Sequence, residues 1–404
     1  MKRIAVASVD NIHNYGDDIL GTTTAWLIRE YANANVVRMQ FSPGKESELK
    51  TMPITFLSSA LILHLTGKAP LSKATYTIRN LGIKARVNKY YQRIIHQCDG
   101  VVTAVGMFKY ASQDHSYLFN ALCATTSRLR KPLHISAASI SVKDENNILS
   151  NQLSNCFSYS SLKMITTRDG ADGLNILNTY MPEKGIIRDY VGDPALWIPN
   201  VYSIYREKES EVIGIGLVRK NIFLSYRGKD SISEERLIEI YCELLDRLDY
   251  KGLKWQLFCN GMDDDYRVGK EILTCRNLPD SFLAKQPESA EELIKTIAKY
   301  KAVIGGRFHS VLISYALDIP VIGMDWDDKL RFFFKSIDRS KYLIDCDSLE
   351  KLGGGGLLAE KIFEASEDPY DPQIREELKH RTRKYLVDFV NGIGKDSAPI
   401  SSAE

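Results

Sequence analysis

Short β-rich runs recur through the first half of the chain: Ile4–Val9, Val36–Phe41, Val101–Val105, Leu133–Ser136, Met164–Thr167 and Ile187–Tyr190. Between most of them lie longer segments whose apolar positions fall three and four apart, Asp17–Tyr31, His115–Arg128 and Asp169–Leu177. Runs of the first kind predict buried strands and segments of the second kind predict helices. Their alternation predicts a parallel sheet with helices on both faces. A charged, Pro-marked stretch, Pro199–Glu211, breaks the alternation, which restarts at Val212–Val218. A helix after Ser233, the strand Trp255–Phe258, a helix near Ala290–Tyr300, the strand Ala302–Ile304, a helix His309–Leu317 and the strand Pro320–Gly323 follow. Two α/β domains are therefore expected, residues 1–205 and 206–404. Gly353–Gly356 reads as a hinge or turn, and the tail GKDSAPISSAE as disordered. Asp371–Asn391 carries Ile374, Leu378, Tyr385, Leu386 and Phe389 at helical spacing, which predicts a long C-terminal amphipathic helix packing across a domain.

Composition narrows the class. With 44% hydrophobic and 26% charged residues in 404, the chain can bury a large core, which excludes disordered and collagenous classes. Lys plus Arg number 53 against 51 Asp plus Glu, a net charge of +2 that excludes a polybasic coat for nucleic acid. The seven cysteines are scattered and never spaced CxxC, so they read as thiols of a reducing compartment rather than zinc ligands or a disulfide framework. The N-terminal apolar run meets Asp10 too soon for a signal peptide, and no apolar run is long enough to span a bilayer. A cytoplasmic protein is expected. Charge is uneven, however: residues 51–98 contain Lys68, Lys73, Arg79, Lys84, Arg86, Lys89 and Arg93 and no acid. That segment reads as a solvated helix face, or as a contact through residues 54–93 with anionic lipid or a lipid-linked diphosphate.

Candidate chemistry collects at strand ends. In GGRFHS, residues 305–310, a strand runs into a helix whose first-turn N–H groups favour an anion. Arg307 adds a planar fork for carboxylate or phosphate, and His309 a proton exchangeable near neutral pH. After the first strand, Asn14, Gly16 and Asp17 open the first helix, with Asp17 read either as its N-cap or as a base or hydroxyl binder. TRDG and VGDP, which hold Arg168, Asp169, Gly192 and Asp193, read by themselves as turns and caps. Arg219 follows the first strand of the second domain where a dinucleotide fingerprint would need its third glycine, so no nicotinamide or flavin site is expected. Asp263–Asp265 read as a helix start rather than a metal site. HExxH, GxxxxGK[ST] and GxSxG motifs are absent.

Taken in order, NYGDDILG, TRDGADGLNIL, VGDPALWI, IGIGLVRKN and GGRFHSVLISYALDIPVIGMDWDDKL resemble the polysaccharide pyruvyl transferase family over about residues 1–335. The resemblance implies an α/β protein of two Rossmann-like domains in a GT-B-type arrangement. It implies transfer of a pyruvyl group from phosphoenolpyruvate to two hydroxyls of a saccharide as a cyclic ketal. Arg219, Arg307, Phe308 and His309 would hold the donor, with His309 as the acid. Asp17, ahead of Asp193, is expected to be the base. Asn14, Gly16, Ser310, Asp193 and Lys329 complete the expected substrate-binding set. Arginines can neutralise this donor, so no metal or other cofactor is expected. One departure is Ala104-Val105-Gly106-Met107, where many members carry a Gly-Gly pair. Phosphoenolpyruvate and a saccharide, of which one form considered is a polyprenyl-diphosphate-linked acceptor met at the inner face of the membrane, are the expected partners. The competing readings are a GT-B glycosyltransferase using a nucleotide sugar and a non-catalytic saccharide- or membrane-binding member.

Overall fold

The computed structural model describes residues 1–9, 14–42, 87–108, 113–140, 155–180, 185–227, 231–351 and 353–394. Of the basic cluster, only Lys89 and Arg93 fall among the described residues, exposed on a helix over 87–95; the other five lie outside them, as does the tail from Lys395 onward.

The first sheet consists of β1 (Arg3–Ser8), β2 (Asn35–Gln40), β3 (Gly100–Ala104), β4 (Met107–Phe108), β5 (Leu133–Ile140), β6 (Leu162–Thr167) and β7 (Ile187–Tyr190). The order is β2-β1-β3-β5-β6-β7, with β4 paired to β5, and every pairing is parallel. All eight positions of β5 are buried, as expected where helices cover both faces, which is why such strands read as continuous apolar runs. The second sheet consists of β8 (Ile213–Gly216), β9 (Trp255–Phe258), β10 (Ala302–Gly305), β11 (Val321–Met324) and β12 (Leu343–Ile344). Its order is β12-β11-β10-β8-β9, again parallel throughout.

These orders place the chemistry. In the second sheet the chain leaves β8 toward β9 on one side and β10 toward β11 on the other, so the winding reverses between β8 and β10. Open α/β sheets bind ligands at such a reversal, beyond the carboxyl ends of the strands. Arg219 follows β8 and Arg307 follows β10, so the two arginines flank it. In the first sheet Arg168 and Asp193 leave the neighbouring strands β6 and β7.

Two elements tie the sheets together. The helix Pro372–Gly392 is capped by the Asp371 carboxylate on the Gln373 N–H, with Pro372 at its first position. Its Leu378 joins the core of the second half, while Leu386, Phe389 and Val390 pack against Ile4, Val6, Leu27 and Ile28 of the first. In return, Tyr15 and Ile19 of the first helix, Tyr15–Ala32, sit in the second half's core.

Gly353–Gly356, expected as a hinge or turn, opens the helix Gly354–Ser366 instead. Gly353 takes a left-handed φ of 86°, and a Cβ on Gly355 would lie 2.2 Å from the Ile240 carbonyl oxygen. The glycines let two helices approach backbone to backbone. Among the described residues, no helix is long and apolar enough to cross a membrane.

Candidate active site

From the second sheet, β10 passes through Gly306 and Arg307 into the helix Phe308–Ala316. A Cβ on Gly306 would stand 2.3 Å from the Gly216 carbonyl oxygen, and one on Gly305 2.4 Å from Val311 Cγ2. Neighbouring protein atoms, rather than a ligand, occupy the space these glycines leave. Arg307 extends to Asp265, donating from Nε to Oδ2 at 2.8 Å and from Nη2 to Oδ1 at 2.6 Å. Asp265 lies in the first turn of the helix Asp263–Cys275 with no exposed surface. The backbone N–H and the charge of Arg219 also act on this carboxylate, so one buried anion lies beside both arginines. The Arg219 Nε is buried and has no hydrogen-bond partner among the described residues. The aspartate run diverges: Asp264 pairs with Arg267, and Asp263 accepts from Gln286 Nε2 at 2.7 Å.

From the first sheet come the N-terminus of the Tyr15–Ala32 helix and the ends of β6 and β7. Asn14, not Asp17, is the N-cap residue, and its Nδ2 donates to Asp17 Oδ2 at 2.8 Å. A Cβ on Gly16 would fall 1.9 Å from His309 Nδ1 and 2.2 Å from its Cγ, so the imidazole rests against the Gly16 backbone. This contact brings together two helix N-termini, one from each half, and both favour negative charge in the space between them.

Arg168 is buried, pairs with Asp193, and donates from Nη2 to the Gly106 carbonyl at 2.8 Å. A side chain at 106 would collide with it, since a Cβ there would lie 2.7 Å from Nη2. Asp193 also accepts the Ala195 N–H at 2.8 Å, capping the 3-10 helix Pro194–Trp197. The Arg168 guanidinium lies 4.7 Å from the Phe308 ring centroid. Lys329 Nζ lies 5.7 Å from the same ring and 5.1 Å from Trp326, and Arg307 lies 5.9 Å from Trp326. Arg168, Lys329 and Arg307 thus share an aromatic floor of two rings, with Arg219 beyond Asp265. Trp326 is fixed by donating from Nε1 to the Gly306 carbonyl at 2.6 Å, and Lys329 stands 3.3 Å from Asp327 Oδ2.

The titratable groups reflect this crowding. Burial, reinforced by the nearby charges of Arg168 and Lys329, pushes His309 well below the usual imidazole range, so it is neutral at pH 7. Its Nε2 is buried with no partner among the described residues. Burial lifts Asp17 to about 6, against the pull of Arg168 and Lys329. A neutral imidazole and a carboxyl that titrates close to neutrality therefore lie beside a row of cations.

Of the residues singled out from sequence, Asn14, Gly16, Asp17, Asp193, Phe308, His309 and Lys329 come together here, and Arg219 and Arg307 adjoin them through Asp265. Asp193 is committed to Arg168 and to its cap. The Ser310 hydroxyl is engaged within its own turn, donating to the Arg307 carbonyl at 2.6 Å and accepting the Arg307 N–H at 3.2 Å. Arg168, Asp265 and Trp326 were not expected in the site. A separate cavity of about 460 Å³, bordered by Pro199, Tyr205, Ala316 and Arg375, lies at the opposite end of the Phe308–Ala316 helix.

A family model for polysaccharide pyruvyl transferase matches residues 14–328. No curated protein matches the sequence. Among solved structures, the chain is similar to a protein of Listeria monocytogenes described as a UDP-N-acetylglucosamine 2-epimerase. The TM-score is 0.60 at 10% identity, over 98% of each chain. It is also similar to S. aureus MnaA solved with UDP, with a TM-score of 0.57 at 9% identity over 99% of this chain and 100% of that one. A third is the UDP-GlcNAc 2-epimerase of Neisseria meningitidis bound to UDP-GlcNAc, with a TM-score of 0.54 at 11% identity over 97% and 100%. At such identities the likeness shows the fold, two Rossmann-like sheets in the GT-B arrangement.

Proposed function

Given that the chain belongs to the polysaccharide pyruvyl transferase family, we propose that it moves a pyruvyl group from phosphoenolpyruvate onto two hydroxyls of one saccharide, closing a cyclic ketal and releasing phosphate. The observation that carries this reading is the row of cations on the Phe308–Trp326 floor beside an unpartnered His309 Nε2. Phosphoenolpyruvate brings a carboxylate and a phosphate on a three-carbon frame, a small ligand of high negative charge. A crevice with Arg219, Arg307 and Lys329 matches that charge, with Phe308 as its wall.

In this reading the donor's charge changes the state of His309. Burial, with the charges of Arg168 and Lys329, opposes its protonation. A bound anion offsets them, and the imidazole takes up a proton. An acceptor hydroxyl then attacks C2 of the enol while the double-bond electrons take the His309 proton at C3, making a methyl group. Asp17, titrating near 6, receives the hydroxyl proton. The C2–O bond to phosphate breaks, the second hydroxyl closes on C2 with loss of its proton, and phosphate departs. Two acceptor O–H bonds, one C–O bond and the C2–C3 π bond are exchanged for two C–O bonds, one C–H bond and one O–H bond on the departing phosphate or solvent, with no change in overall oxidation state.

We assign residues 206–404 to the donor and 1–205 to the acceptor, because the arginines flanking the reversal between β8 and β10 belong to the second half. The acceptor is proposed to be a polyprenyl-diphosphate-linked saccharide met at the inner face of the membrane, with the basic residues of 54–93 facing its charge.

The test is incubation with phosphoenolpyruvate and candidate saccharides. Phosphate release together with a product heavier by one pyruvyl group supports the reading, and both are abolished in Arg307→Ala and His309→Ala. Turnover with a nucleotide sugar and none with phosphoenolpyruvate would replace it with glycosyl transfer. Full activity in either variant would reject the site.

A further inference from the structure

We infer that Asp265 is the positioning residue of the donor clamp, a single buried carboxylate that orients both Arg219 and Arg307. The inference rests on reading those two arginines as donor ligands. A guanidinium has five N–H donors in one plane. Arg307 commits its Nε–H and one Nη2–H to Asp265, which fixes the plane and its rotation and leaves the Nη1 edge for a ligand. Trp326, 5.9 Å away, sets which face is covered. Without the carboxylate, a three-methylene stem would leave the fork free to swing, and donor binding would have to arrest it.

Arg219 is set by a different route. Its backbone N–H and its charge lie near enough to the Asp265 carboxylate to favour the ionised form, and the preceding Val218 N–H donates to the Tyr241 hydroxyl at 3.2 Å. The turn after β8 is pinned at the Val218 amide and lies beside the Asp265 carboxylate, which aims the Arg219 stem and its unpartnered Nε. Asp265 offers no exposed oxygen to a ligand, so it acts through the arginines and not by contact with the donor.

Positioning and charge have opposite consequences, which makes the inference testable. Asp265→Ala removes a negative charge beside two arginines. If charge alone mattered, an anion would bind more tightly. If alignment matters, the dissociation constant for phosphoenolpyruvate rises by about 10- to 100-fold in Asp265→Ala. It rises less in Asp265→Asn, which keeps the shape and one acceptor. Calorimetric titration of wild type and both variants, each first checked for its folded circular dichroism spectrum, reads this directly. The ordering wild type, Asn, Ala supports the inference, and if only Asp265→Asn folds, its weakened binding carries the test. Unchanged or tighter binding in the folded variants overturns it, even if stability falls. Should wild type ignore phosphoenolpyruvate, the donor assignment fails separately. The same titrations with inorganic diphosphate then decide the role of Asp265 by the same ordering.

Discussion

Replacing Gly16 with alanine isolates the contact that joins the two halves of the crevice. A Cβ there would stand 1.9 Å from His309 Nδ1, so reaching an ordinary separation of 3.4 Å requires the ring to retreat by about 1.5 Å. In an unobstructed helix, Gly→Ala stabilises by roughly 0.5–1 kcal/mol. Here overpacking costs about 1–3 kcal/mol, so the variant is expected to be neutral or destabilised by up to ~2 kcal/mol. Removing the ring removes the obstacle, and in a His309→Ala background Gly16→Ala should recover its intrinsic stabilisation. The coupling between the two sites is therefore expected to be about 1–3 kcal/mol. Urea denaturation of wild type, both single variants and the double variant measures it without any substrate. A ring displaced by this much also misaligns a proton donor, which costs about 100-fold in turnover. Equal effects of Gly16→Ala in both backgrounds would refute the contact and the convergence of helix termini built on it.

Three further perturbations follow from the same structure. Arg168→Ala leaves Asp193 buried and uncompensated, at a cost of about 3–5 kcal/mol that Asp193→Asn partly recovers in the double variant, as denaturant titration will show. His134, buried in β5 with Nε2 3.1 Å from Thr166 Oγ1 and its ring 5.4 Å from Phe389, is pushed down to about 3 by burial. The unfolded chain protonates it near 6.5 and the folded one does not, so stability falls by about 2 kcal/mol between pH 7 and pH 5, and His134→Asn flattens that slope in denaturant titrations at the two pH values. Asp17 has the opposite sign: its folded value near 6 lies above the unfolded one, so its ionisation weakens the fold as pH rises through 6. Asp17→Asn is expected to stabilise the protein at pH 7 by about 1–2 kcal/mol after allowance for partial solvent exposure, while turnover falls. Thermal melts at pH 7 and pH 4 check this, with the gain disappearing at the lower value.

How much of this was legible in the sequence depended on whether a feature was local. β3 and β6 end within a residue of the expected positions, because largely buried strands announce themselves as apolar runs, and β7 spans Ile187–Tyr190 as expected although it is a half-buried edge strand. The turn at Arg307–His309 was equally visible, since a strand, two glycines and a helix start are contiguous. The two-residue β4 was too short for any pattern. Arg168 read as part of a turn because the chain does bend at Arg168–Asp169, between β6 and the helix Gly170–Tyr180. Its role emerges only when β6 and β7 lie side by side and Asp193 reaches it. Asp265 looked like one member of a helix-opening acidic run. Nothing local distinguishes it from Asp263 or Asp264, and only the placement of β8 beside β10 brings it to both arginines. The fit of His309 against Gly16 crosses between the two halves and has no sequence signature beyond the glycine itself.

A small polyanion that settles on this row of cations would thereby charge His309. Calorimetric titration with phosphoenolpyruvate at about pH 8, repeated in buffers of different ionisation enthalpy, measures binding and proton uptake together. Saturable binding is expected, with uptake of a fraction of a proton in wild type and none in His309→Gln. Binding of a nucleoside diphosphate sugar in place of phosphoenolpyruvate, or binding of phosphoenolpyruvate with the same proton balance in both proteins, would contradict it.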